Sequence, residues 1–281
     1  GRLRPRRSRA AGGRAAHARP RGAAARARSP RDRRPLVAVA GGCGAAPLGL
    51  LPGREEPGGD QVTRILETHR RDAASGTAGS AVIFLHGYGA DGNDLLGLAE
   101  PLAPHLPDTL FLAPDAPERC TGNPFGYQWF PIPWIDGSSE EDAEAGMRAA
   151  AGDLNAFLDA VIAEEGLAAD RIVLFGFSQG TMMSLQVAPR RAEPVAGVVG
   201  FSGRLIAPEL LAEEVVSRMP ILLVHGDQDD LVPPQALPEA ANALTEAGFE
   251  VYAHVMQGTG HGIAPDGLSA ALGFLNETLG G

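Results

Sequence analysis

The apolar run Arg171-Ile172-Val173-Leu174-Phe175 leads into Gly176-Phe177-Ser178-Gln179-Gly180, and Thr181-Met182-Met183-Ser184-Leu185 follows. A serine therefore stands between two glycines where a strand-like segment gives way to a helix-like one. This is the sequence form of a nucleophile elbow, a turn that exposes a strained serine and demands small neighbours. The pentapeptide alone is weak evidence, because a chain with 37 Gly can also place such a serine in a plain strand-to-helix turn. Its weight depends on whether an acid, a base and an oxyanion hole occur elsewhere.

The surrounding pattern supplies the frame. Short apolar runs at 81–85 (AVIFL), 109–113 (TLFLA), 171–177, 195–201 (VAGVVGF) and 221–224 (ILLV) read as buried strands. A last strand is expected at 249–255, and a first strand or edge hairpin at 61–68. Apolar residues at helical spacing predict helices over 141–165, ending at Gly166, from Ser178 to about Pro189, and over 235–247 and 265–279. Strands alternating with helices predict an α/β fold with a mostly parallel central sheet covered on both faces. Ligands in such sheets bind past the carboxyl ends of the strands, where every candidate motif lies.

Charge separates the chain into two parts. Residues 1–34 hold 13 Arg and a single acid, Asp32; the whole chain carries −10, which leaves −22 on the remainder. Residues 1–59, rich in Arg, Ala and Gly, are expected to be a disordered leader or upstream sequence translated in error, with their presence in the mature protein left open, and residues 60–281 the catalytic domain. Export through that basic leader is the alternative, but the basic stretch is too long and the apolar part too glycine-rich for an ordinary signal. A cytoplasmic location is the expectation. An acidic body should be repelled by nucleic acid and anionic lipid, so neither is an expected partner. Cys43 and Cys120 form no disulfide framework and lack metal-ligand spacing.

The acid candidates lie in His225-Gly226-Asp227-Gln228-Asp229-Asp230. Asp229 is favoured as the partner of a histidine. Asp227, directly after the strand, suits bracing of the turn and is the alternative; Asp230 suits solvent. Of seven histidines, His261 stands in the flexible loop Gly258-Thr259-Gly260-His261-Gly262, which lets an imidazole reach a nucleophile on another strand. His86 and His225 each follow a strand and suit loop-shaping hydrogen bonds, and His254 suits a paired position in a sheet. The order Ser178, Asp229, His261 is that of an α/β-hydrolase. For the oxyanion, the residue after the nucleophile, Gln179, should offer one main-chain N–H. His86-Gly87-Tyr88-Gly89 should offer another from Tyr88, unless it is only a glycine-rich turn. A proline-rich loop over 115–142 holds both tryptophans. Trp129, Phe130 and Trp134 are candidates to line the mouth of the site, or alternatively a satellite core patch. Met182 and Met183 read as helix packing.

Together LHGYGADGNDL, GYQWFP, GFSQGTMMSLQ, HGDQDDLVP and GTGHGI resemble the phospholipase/carboxylesterase family of α/β-hydrolases, which includes the acyl-protein thioesterases. The likeness runs from about residue 80 to the C-terminus. It implies a hydrolase without a large cap domain and with no metal or other cofactor. It also implies a triad of Ser178, Asp229 and His261, and oxyanion donors on Tyr88 and Gln179. The expected substrates are short- to medium-chain acyl esters or thioesters. Acyl-protein thioesterase or lysophospholipase activity is an alternative, and an inactive ligand-binding module is the non-enzyme alternative. Members of the family often pair, so a homodimer is an expectation.

Overall fold

The computed structural model describes residues 63–280. The leader assigned to residues 1–59, with His17 and Cys43, lies outside the described residues, as do Gln61 and Val62. Nine strands occur among the described residues: β1 (Thr68–Arg71), β2 (Ser80–Leu85), β3 (Thr109–Pro114), β4 (Glu118–Arg119), β5 (Tyr127–Gln128), β6 (Ile172–Phe177), β7 (Gly197–Phe201), β8 (Ile221–Gly226) and β9 (Val251–Met256). Eight α-helices accompany them, besides short 3-10 turns: α1 (Gly92–Leu96), α2 (Ala99–Leu102), α3 (Pro133–Asp136), α4 (Glu140–Glu165), α5 (Gln179–Val187), α6 (Leu211–Glu214), α7 (Ala236–Glu246) and α8 (Pro265–Leu279).

Seven strands form one sheet in the order β1-β3-β2-β6-β7-β8-β9. All neighbours are parallel except β1, which runs antiparallel to β3. Strands β4 and β5 pair apart from it as a small antiparallel ribbon. The wholly apolar runs became the central strands because both of their faces are covered. Ile83, Leu85, Leu174, Val198 and Leu223 pack in one core cluster with residues of α4, α5 and α7. Val82, Phe84, Phe175, Phe201 and Val224 pack in the other with α1, α2 and α8. Alternate residues of each strand thus feed opposite layers. On the second face Phe84 stacks 5.9 Å from Phe111 and meets Phe175 edge-on at 5.1 Å, and Phe175 lies 5.2 Å from Phe201. Helix α4 starts in a capping box between Ser139 and Asp142 and stops at Gly166, whose φ of 66° lies in the left-handed region.

The first strand departs from expectation. Residues 63–67 carry no strand, and Ile65 is exposed; pairing begins at Thr68. An edge strand of sequence THRR, paired on one side only and half-exposed, presents no apolar alternation to read. Short helices α1 and α2 and the β4–β5 ribbon carry no periodic signal either, since each is too short to show one.

Around the serine the backbones touch. A Cβ on Gly180 would stand 1.8 Å from Leu85 O, and one on Gly176 would stand 2.4 Å from Thr181 N. Those contacts press the first turn of α5 against the ends of β2 and β6, and they account for both glycines of the pentapeptide. Gly273, on the exposed side of α8, would place a methyl group with nothing within 4 Å of it. Gly180→Ala is therefore expected to prevent stable folding or to cost more than about 3 kcal/mol. Gly273→Ala is expected to raise stability by roughly 0.5–1 kcal/mol. Urea denaturation of the two variants checks the contrast.

Candidate active site

Ser178 occupies the turn from β6 into α5 with φ 53° and ψ −114°. Its N–H donates to Phe201 O at 2.8 Å, and its carbonyl accepts from Thr181 N–H at 3.0 Å and Met182 N–H at 3.2 Å. Three backbone bonds thus hold a conformation that costs an L-residue on the order of 1–3 kcal/mol. The residue is half-buried.

The loop after β2 lies against this serine. A Cβ on Gly87 would stand 3.2 Å from Phe177 Cδ1 and 3.4 Å from Ser178 Cβ. Neither the Tyr88 nor the Gln179 main-chain N–H donates to a group among the described residues. The Tyr88 hydroxyl donates to Asp136 Oδ2 at 3.2 Å. Burial, with Cys120 and Asp136 nearby, pushes the Tyr88 phenol well above its ordinary value, so it stays neutral. Burial of Asp136 acts upward on its carboxyl, but N–H donors from Ile132 and Ser138 and the Tyr88 hydroxyl outweigh it and leave the carboxyl below its ordinary value.

Asp229 and His261 meet. His261 Nδ1 is 2.8 Å from Asp229 Oδ2. Asp229 is buried, and its Oδ1 accepts Leu231 N–H at 3.0 Å and Val232 N–H at 2.9 Å. His225 Nε2 lies 2.9 Å from Val232 O and 3.2 Å from Asp229 Oδ2. A carbonyl only accepts, so the His225 proton sits on Nε2. The carboxylate is oriented from several sides, and it takes the Nδ1 side of the His261 ring, which leaves Nε2 on the side away from the acid. The His261 ring lies 5.0 Å from the Phe177 ring, beside the serine, but no hydrogen bond joins it to Ser178 here. Such bonds are often long before substrate binds.

Other residues sort by their partners. Asp227 is exposed and accepts Gly258 N–H at 2.6 Å, bracing the loop that carries His261. Asp230 is exposed. His254 sits in β9 opposite Val224 and bonds Asp266, whose carboxyl that contact lowers. Met182 and Met183 are buried in the core.

The aromatic loop divides. Trp134 is 57% exposed, with the Arg204 guanidinium 5.6 Å from its ring. Trp129 and Phe130 are 0% and 4% exposed and belong to the core cluster, so the expectation that they line the mouth is corrected. A run of aromatics in a proline-rich loop does not reveal which way each one points. A cavity of about 460 Å³ opens nearby against α3 and α4, lined by Glu118, Asp136, Asp142 and Gly146 among others; Ser178, Asp229 and His261 do not line it. Arg204 escaped the sequence reading because the Trp134 ring it meets lies far along the chain, as does the Tyr88 hydroxyl that ties Asp136 to the site loop. Among the described residues no group of three or more His, Cys, Asp or Glu could hold a metal ion, and no helix is long and apolar enough to cross a membrane.

The model of the Phospholipase/Carboxylesterase family matches residues 72–279. The chain belongs to that family. It is 30% identical to acyl-protein thioesterase 1 of Neurospora crassa over 71% of this chain and 87% of the relative. With esterase YpfH of Escherichia coli the identity is 29%, over 70% and 82%. Among solved structures, esterase PE8 is 44% identical with a TM-score of 0.74, covering 77% of this chain and all of the esterase. The acyl-protein thioesterase 2 of Zea mays is 26% identical with a TM-score of 0.62, over 76% and 99%. The mostly parallel sheet with helices on both faces is the α/β-hydrolase fold expected of a member, and family membership makes the chain a hydrolase.

His86, at the entrance to the Tyr88 loop, carries a pH prediction. It is fully buried, its Nε2 accepts Ala116 N–H at 3.0 Å, and its Nδ1–H donates to Gly87 O at 2.8 Å. Burial holds the imidazole below its ordinary 6.5, against the pull of Gly87 O and nearby aspartates. The unfolded chain therefore takes up this proton first. Its contribution to stability is complete above about pH 6.5 and is lost as pH falls from there toward the folded value. Thermal unfolding between pH 7.5 and 5 should show Tm declining below about 6.5, with a shallower decline in His86→Asn. An equal slope in both proteins would contradict this.

Proposed function

We infer that this chain is a carboxylesterase that cleaves short- to medium-chain acyl esters or thioesters through an acyl-enzyme on Ser178. The observation that carries the reading is the 2.8 Å bond from His261 Nδ1 to buried Asp229, on the strand-end loop that faces the elbow. It holds the imidazole in the tautomer whose Nε2 can accept a proton.

His261 Nε2 takes the Ser178 hydroxyl proton as Oγ attacks the acyl carbonyl. The carbonyl oxygen becomes an oxyanion and moves into the space before the Tyr88 and Gln179 N–H groups, which donate to no acceptor among the described residues. His261 then donates the proton to the departing alkoxide or thiolate. Water enters, loses a proton to His261, and attacks the acyl-enzyme; collapse releases the acid and restores Ser178. Throughout, Asp229 stabilises the imidazolium without taking its proton. Exposed Trp134 and Leu231, the latter next to the Asp229 turn, offer apolar surface for an acyl chain. The relatives named acyl-protein thioesterase favour thioesters as a second substrate class.

Ser178→Ala is expected to fold normally and to lose hydrolysis of p-nitrophenyl butyrate by at least about 10⁴-fold. Full activity in that variant would refute the reading. Asp229→Asn should lose about 10⁴-fold in kcat, while Asp227→Asn keeps most of its activity. A dead Asp227 variant beside an active Asp229 variant would exchange their roles.

A further inference from the structure

The two main-chain donors of the reading above stand on different elements, Tyr88 after β2 and Gln179 at the start of α5. Both are tied to one short segment, residues 127–130. On one side, Gly89 N–H donates to Tyr127 O and Tyr127 N–H donates to Ala90 O, each at 2.8 Å. A Cβ on Gly126 would stand 2.0 Å from Gly89 O, so the two segments run in contact. Trp129 then reaches back with its indole, whose Nε1–H donates to His86 O at 3.0 Å. The indole packs 5.8 Å from the His86 ring.

On the other side, the fully buried Gln179 side chain grips the same segment. Its Oε1 accepts Trp129 N–H at 2.9 Å and its Nε2 donates to Phe130 O at 2.7 Å. One amide side chain thus satisfies two buried backbone groups as a neighbouring strand would. Gln179 therefore faces the site with its main chain and the 127–130 segment with its side chain.

We propose that residues 127–130, centred on Trp129, form a brace that sets the separation of the two oxyanion donors, with Trp129 and the Gln179 side chain as positioning residues for catalysis. The proposal rests on the carboxylesterase reading. The brace touches neither substrate nor reacting atoms. It acts on a distance that matters most when the carbonyl carbon becomes tetrahedral and its oxygen charged, because both N–H groups must then point at one atom. Misplacement by a fraction of an ångström is enough to cost rate without costing substrate binding.

The test uses the full chain with Trp129→Phe, which removes the indole N–H. A second variant carries 3-benzothienylalanine at position 129, which replaces that N–H by sulfur at nearly constant shape. Folding is monitored by thermal unfolding. Turnover of p-nitrophenyl butyrate and inhibition by a trifluoromethyl ketone, whose serine adduct bears an oxyanion, are measured on each. The expected result is a fall in kcat of roughly ten- to hundredfold with KM within about twofold, and a parallel loss of affinity for the ketone. Wild-type kcat and ketone affinity in the folded benzothienyl variant would overturn the brace. So would a loss of activity that only follows the fraction of unfolded protein. A wild-type protein that hydrolyses neither ester nor thioester and leaves the ketone unbound would instead overturn the carboxylesterase reading itself.

Discussion

A serine held at φ 53° needs its neighbours' backbones where no side chain would fit. Leu85 O occupies the space that a methyl group on Gly180 would take, and the first turn of α5 occupies that of Gly176. This contact between the ends of β2 and β6 and the start of α5 brings the loop after β2 beside the serine. The Tyr88 loop, the Gln179 main chain and the 127–130 segment are arranged around it. Two apolar layers hold the strands firmly enough to keep the strained turn in place.

Most buried polar side chains near the turn have their hydrogen bonds made within the protein. Asp229 receives donors from Leu231, Val232 and His261, and His225 lies within 3.2 Å of it. His86 exchanges bonds with Gly87 and Ala116, and Gln179 with Trp129 and Phe130. Each of these side chains is buried and each is satisfied, which low dielectric requires. Among the described residues, the main-chain N–H groups of Tyr88 and Gln179 beside the serine have no protein acceptor, and the buried Ser202 hydroxyl nearby is unpartnered too. Free donors held by hydrogen-bonded neighbours are what a preorganised charge-stabilising site needs.

Much of this was legible in the chain. Runs such as AVIFL and IVLF had to be central parallel strands because both their faces are apolar, and the elbow glycines announced a close approach of backbones. Boundaries moved by one or two residues, as between Val195 and the observed start of β7 at Gly197. The Asp229–His261 pair could be anticipated from chain order and loop flexibility. What could not be read was direction. Trp129, Phe130 and Trp134 share composition and neighbourhood, yet two turn inward and one outward, because the choice is made by His86, Gln179 and Arg204 from distant segments. Edge strand β1 escaped because its one-sided pairing leaves no alternation in THRR.

At the centre of the reading stands a nucleophile at position 178 that faces two free N–H groups and the Nε2 of His261. A crystal structure of the protein after reaction with a fluorophosphonate tests this most directly. Phosphorus should be bonded to Ser178 Oγ, with one phosphonyl oxygen about 2.7–3.1 Å from both Tyr88 N and Gln179 N. An unmodified Ser178, or an adduct whose phosphonyl oxygen points away from both nitrogens, would contradict it.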